Sequence, residues 1–203
     1  MKILPIVFLT ILLAFSCTAS GQKKETSKNP CISGNCINGS GVYLSGSGTR
    51  YDGDFKDGYP DGTGVLTTSR GSIYRGDFSK GIFHGNGTYL QKDGTRYEGT
   101  FREGKYHGTG TVKYADGTIY TGQWSNDKPE GKGKLTTARG DVYTGSFKGG
   151  KFHGYGVLVE SNGDRYEGAW KNHMKDGRGR YRFANGEVWK GTFKENKFLG
   201  KKK

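Results

Sequence analysis

Proline is scarce in this chain, with 4 residues in 203. Collagen requires glycine at every third position and abundant proline. Neither condition holds, so the 37 glycines need another explanation. Histidine is nearly as rare, with four, and there are three cysteines. No helical period follows the N-terminal apolar run, so the Gly-x-Gly pairs lack the helix and the Lys-Ser/Thr sequel of a phosphate loop. The serines lack a nucleophile elbow and a His–acid pair. Carboxylates such as Asp52, Asp54 and Asp77 fall at turns or on a polar face. His84, His107 and His153 recur in one repeat position. Neighbouring copies of that position would stand about 10 Å apart, too far for ligands that must lie about 2 Å from one zinc. No catalytic residue, metal or cofactor is expected.

Glycine and aromatics are abundant. Glycine is about 18% of the chain, against a usual share of about 7%. The 13 Tyr, 11 Phe and 3 Trp argue against disorder, which goes with few aromatics. A repeat built on tight turns remains. The formal net charge of +13 favours anionic partners.

The N-terminus directs the chain out of the cytoplasm. Met1-Lys2 is a short positive segment and Ile3 to Phe15 an apolar run without charge. The run is shorter than the about 20 residues that span a bilayer, and it suits the apolar core of a signal peptide. Ala14-Phe15-Ser16-Cys17 resembles a bacterial lipobox, which implies a signal peptide over 1–16 and lipid attachment at Cys17. Cleavage before Cys17 without lipid, or after Ala19, are the alternatives. Residues 17–30 then read as a lipidated N-terminus and flexible linker. A diacylglyceryl group with an amide-linked chain would anchor stably.

Tyr-x-Gly-x-aromatic recurs at a fixed 23-residue step from Tyr51 to Tyr166, with Trp189 as the seventh copy. Gly-x-Gly keeps the same step from Gly39 to Gly177. A third glycine precedes each Tyr by three places. Alternation puts Tyr97, Gly99 and Phe101 on one face of a first strand. A second strand, Gly108 to Tyr114, puts Gly108, Gly110, Val112 and Tyr114 together. Rings of one strand are expected over glycines of its neighbour. Asp93-Gly94, Asp116-Gly117, Asn162-Gly163 and Asn185-Gly186 read as hairpin turns. One hairpin cannot bury its aromatic face alone, and stacking supplies the neighbour.

This pattern resembles the MORN repeat over residues 39 to 200. The fold expected is all-β: an elongated single-layer antiparallel sheet of tandem 23-residue β-hairpin repeats, with the array over 48–200. Residues 31–47 form an N-terminal cap with a half repeat, in which Ile32 falls on the Phe slot. Cys31 and Cys36 are placed to bridge its turn in an oxidising compartment. Residues 201–203 are a basic tail that guards the edge. The resemblance implies membrane association and protein scaffolding. Such arrays also accompany lipid-kinase and methyltransferase domains, which these residues do not contain.

The basic residues carry the functional hint. Lys56, Arg102, Lys148, Lys171 and Lys194 lie five places after the repeat aromatic, and Lys105, Lys128, Lys151 and Lys197 eight places after it. Stacking would align them near the hairpin ends, with Phe83, Tyr106, Phe152 and Phe198 beside them. The expected role is a non-catalytic envelope lipoprotein that binds envelope proteins or anionic lipid or glycan headgroups through this stripe, and not nucleic acid. The alternative is a structural spacer or a self-associating, homodimeric element. An accessory subunit of a lipid-modifying enzyme comes third. Thr18 after the lipidated cysteine points to the outer membrane, the other option being a soluble periplasmic or secreted protein.

Overall fold

The protein is described from a computed structural model over residues 30–200. The expected signal peptide, the Cys17 anchor and the 201–203 tail lie outside the described residues. The strands come in pairs. β1 (Cys31–Gly34) and β2 (Gly39–Leu44) form the cap, followed by β3 (Arg50–Lys56) and β4 (Tyr59–Thr67), β5 (Ile73–Ser79) and β6 (Ile82–Leu90), and β7 (Arg96–Arg102) and β8 (Lys105–Lys113). β9 (Ile119–Ser125) and β10 (Lys128–Thr136), β11 (Val142–Lys148) and β12 (Lys151–Val159), β13 (Arg165–Lys171) and β14 (Met174–Arg182), and β15 (Val188–Lys194) and β16 (Lys197–Phe198) complete the set. They form one open antiparallel sheet in strict sequence order, with no helix among the described residues. Compact packing divides the chain into two units, one ending at Lys105 and one beginning at Tyr106.

In the first unit the repeat tyrosines are the deepest residues. Tyr51, Tyr74 and Tyr97 are buried, as are Phe55, Phe78 and Phe101. Tyr74 meets Phe78 and Phe101 edge-on, each at 5.0 Å, and stacks on Phe83 at 3.8 Å. Edge-to-face pairs add about 0.5–1.5 kcal/mol beyond their burial. Each phenol also closes a polar bond: the Tyr51 hydroxyl donates to the Asp54 carbonyl at 2.9 Å and that of Tyr74 to Asp77 at 2.8 Å. Burial pushes both phenols well above their ordinary pKa.

Glycine makes room for these rings. Gly41, Gly53, Gly64, Gly76 and Gly87 stand opposite one another across β2 to β6. A Cβ at Gly87 would lie 2.6 Å from the Tyr74 hydroxyl. The expected ring-over-glycine packing is therefore present. The second unit repeats it with Tyr120, Tyr143 and Tyr166, and its glycine row runs from Gly110 through Gly122, Gly133, Gly145, Gly156, Gly168 and Gly179 to Gly191.

Two local expectations are corrected and one is extended. The second strand begins earlier than its Gly-x-Gly: β4 starts at Tyr59 and pairs Pro60 with Phe55, and the step from there to Gly53↔Gly64 leaves three residues facing Asp54 alone. This bulge bends the strand. The Asp-Gly and Asn-Gly pairs do lie in the hairpin turns between repeats, as expected, and a second set of tight two-residue turns closes the hairpin within each repeat. They are Asp57-Gly58, Lys80-Gly81, Asn126-Asp127, Asn172-His173 and their counterparts, all with positive φ at both positions, the mirror-image turn that matches strand twist. Asp93-Gly94 instead sits in a five-residue loop closed by Gln91 N–H to Thr95 O at 2.8 Å. In the cap, Gly34 and not Pro30 stands opposite Gly41, so Ile32 misses the Phe slot and is 58% exposed. A disulfide joins Cys31 to Cys36, with Cα atoms 5.8 Å apart.

Candidate functional site

Strand alternation leaves each unit with a second face that is poor in rings, with Tyr59 in the first unit and Tyr155 in the second, and no further layer of described residues covers it. The expected basic residues lie along the turn edge of this open face. Lys148 is directly opposite Lys151, Lys194 opposite Lys197, Ser125 opposite Lys128, Lys171 opposite Met174 and Lys56 opposite Tyr59. Arg102 and Lys105 flank the Glu103-Gly104 turn. Successive turns are tied together by backbone bonds. In the first unit Gly81 N–H donates to Pro60 O at 2.7 Å and Gly104 N–H to Phe83 O at 3.0 Å. In the second, Gly150 N–H donates to Pro129 O at 2.9 Å and His173 N–H to Phe152 O at 3.0 Å. The second unit thus gathers Lys128, Lys148, Lys151, Lys171, Lys194 and Lys197 on one edge, and the first unit Lys56, Arg102 and Lys105.

The aromatics expected beside this edge point the other way. Tyr106 and Phe152 are buried, and Phe152 stacks on Tyr143 at 3.7 Å. Phe83 and Phe198 likewise pack against rings. They belong to the ring face. Two copies of the histidine slot that hold carboxylates serve the turns: Asp61 accepts from Lys80 N–H at 3.0 Å and Glu130 from Gly149 N–H at 2.8 Å. Among the described residues no three His, Cys, Asp or Glu side chains converge as a metal site.

Away from the edge the open face differs between the units. In the first, Arg50 pairs with Asp52 at 2.7 Å and Arg96 with Glu98 at 2.8 Å. Asp54 accepts from the Ser40 hydroxyl at 2.8 Å and from Thr63, and these bonds hold its pKa below the ordinary value. In the second, Lys132 and Lys134 on β10 and Arg178, Arg180 and Arg182 on β14 are exposed, and none ion-pairs with a carboxylate among the described residues. Arg182 is directly opposite Arg165, and Arg180 opposite Lys190. One pair relieves this group, Arg165 to Glu167 at 2.7 Å. Between the two basic strands stands Tyr155, 57% exposed, its hydroxyl donating to Glu167 at 2.8 Å. These residues were not singled out from the sequence. The available signal was basic residues at every second position, 178, 180 and 182, on the polar register of a strand.

Seven consecutive segments match the MORN repeat: residues 37–50, 51–73, 74–96, 97–119, 120–142, 143–165 and 166–188. No curated protein matches the chain in sequence. Among solved structures, the TCP domain of Drosophila melanogaster SAS-4 (dCPAP), in complex with a proline-rich motif of dSTIL, is similar at 10% identity. It covers 87% of this chain and 97% of its own, with a TM-score of 0.49. The TCP10 domain of Danio rerio CPAP, in complex with a STIL peptide, is 16% identical over 74% of this chain and 77% of its own, with a TM-score of 0.37.

Proposed function

The chain belongs to the MORN repeat family, and from that premise we propose that it is a non-catalytic scaffold, held at the cell envelope by a lipid on Cys17, that binds a protein partner on the open face of its sheet. One observation carries this reading: like charges stand directly opposite each other there, Lys148 with Lys151 and Arg180 with Lys190. Such pairs are destabilising in a sheet. The fold does not need them, because the first unit builds the same hairpins with Lys56 opposite Tyr59 and Val65 opposite Arg75 at the equivalent positions. An anionic partner offsets their repulsion. The charge also weighs against face-to-face self-association, since two basic faces repel.

A photo-crosslinking residue in place of Lys148, in cells of the native host, tests the scaffold. A discrete protein adduct is expected. Adducts to lipid alone would overturn the protein reading in favour of headgroup binding. Intact mass of the protein from native membranes tests the tether: a chain starting at Cys17 with added diacylglyceryl mass supports it, and an unlipidated chain rejects it.

A further inference from the structure

On the open face of the second unit the glycine row has no side chains of its own there, so it forms the floor of a trough of about 450 Å³ running across β9 to β12. Lys132 and Lys134 flank it on β10, and Tyr155 and Val157 on β12. The next step of the repeat brings Arg178 and Arg180 into the same two positions on β14, beside Gly179. Along the row the lining therefore reads basic, apolar–aromatic, then basic again beyond Glu167 on β13, whose carboxylate is held by Arg165 at 2.7 Å and by the Tyr155 hydroxyl at 2.8 Å. None of the four cations forms an ion pair among the described residues, although Arg180 stands opposite Glu167. Tyr155 keeps a large hydrophobic side chain in water, where the equivalent positions hold Asn86, Thr109 and Lys132.

We propose that this trough binds an extended acidic polypeptide segment, with carboxylates at its two ends and an apolar side chain at its centre. The proposal rests on the scaffold reading above and names the chemistry of the partner. Charge complementarity selects an anion. The recessed floor selects its shape, because a flat membrane surface rests on the flanking long side chains while a single chain reaches the glycines. Spacing sets the length. Four strand steps from β10 to β14 span about 19 Å, and an extended chain rises about 3.3 Å per residue, so about six residues separate the two acidic ends. Tyr155 and Val157, midway, take the apolar residue.

The test uses the full mature chain and a fluorescein-labelled peptide, Glu-Glu-Ser-Phe-Ser-Glu-Glu, read by anisotropy at low salt. Binding is expected. The Arg178→Glu/Arg180→Glu variant should weaken it about tenfold, since two exposed ion pairs are lost. The Arg70→Glu/Lys92→Glu variant makes the same change in net charge on exposed loop residues of the first unit and should leave affinity within about twofold. Tyr155→Ser should abolish the preference for the Phe peptide over its Ala counterpart, which a purely electrostatic attraction would not show. No binding at low salt overturns the proposal, and so does equal loss in the two charge-reversal variants. Phosphatidylglycerol vesicles that need Arg178 and Arg180 while the peptide does not bind would also overturn it. A protein adduct at Lys148 persisting in any of these cases leaves the scaffold standing and removes only the acidic segment.

Discussion

The ammonium of Lys175 sits 4.2 Å from the ring centroid of Tyr181, inside the ring face of the second unit. Its slot holds Pro129 and Phe152 in the two preceding repeats, both buried. Glu160, 4.0 Å away, and the Tyr166 ring, 5.4 Å away, share the charge. Burial still dominates and lowers the Lys175 pKa, with Glu160 and Asp164 opposing.

Lys175→Phe should therefore stabilise the protein. A ring there can stack on Tyr166 as Phe152 does on Tyr143, worth about 1 kcal/mol, or about 2–4 °C in melting temperature for a chain of this size. The pH dependence identifies the cause. With a lowered folded pKa, charged Lys175 costs stability at neutral pH. As pH rises from the folded pKa to the unfolded value of about 10.4, the unfolded chain binds more protons and wild-type stability recovers. The advantage of Lys175→Phe should shrink across that window. An advantage independent of pH would mean that desolvation of the ammonium is not the source.

Gly87→Ala should cost about 1–3 kcal/mol, because the added methyl overpacks the Tyr74 ring. A Cβ at Gly46 meets nothing within 4 Å, so Gly46→Ala should stay within about 0.5 kcal/mol of wild type. Urea midpoints of the two variants give the comparison. Equal effects would show that ring seating is not what the glycine row provides.

How far these relationships are visible in the sequence depends on their range. Tyr97, Gly99 and Phe101 share a face because strand alternation is local, and the 23-residue step makes the stacking legible. The two-residue turns that lack glycine are not legible. Asn172-His173 and Glu195-Asn196 adopt positive φ without a turn glycine, because cross-strand register and the bond to the preceding turn impose it. The four-residue shift that removes Ile32 from the Phe slot is also a pairing outcome. The trough was missed for another reason: Lys134, Val157 and Arg180 are 23 residues apart in sequence and become one surface only when alternate strands align.

Asp164 should govern part of the acid limb of stability in the second unit. Its carboxylate accepts from Ala184 N–H and from the Tyr181 hydroxyl, each at 2.8 Å, and the Ala184 bond is the larger cause of its lowered pKa. A lowered carboxylate pKa gives stability that is present above the unfolded value of about 3.9 and lost as pH falls through the folded value. Asp164→Ala should be less stable than wild type at pH 7, with the gap closing in acid. A gap that persists at pH 2 would assign the effect to packing.

The Cys31–Cys36 disulfide should stabilise only the end of the array. The cap buries little: Ile32 and Ile37 are exposed, and β1 is held to the chain beyond it by bonds such as Asn35 N–H to Ser40 O at 2.9 Å and Leu44 N–H to Pro30 O at 2.8 Å. Closing so short a loop contributes about 2 kcal/mol in the chain-entropy account. That is enough to decide whether a strand with so little apolar contact stays docked. In a stack where each repeat touches only its neighbours, the loss does not travel far. Cys31→Ser/Cys36→Ser should abolish hydrogen-exchange protection in β1, reduce it in β2, and leave β5 and β6 as they were. Loss of protection through β6 would mean that the cap nucleates the array rather than closing it.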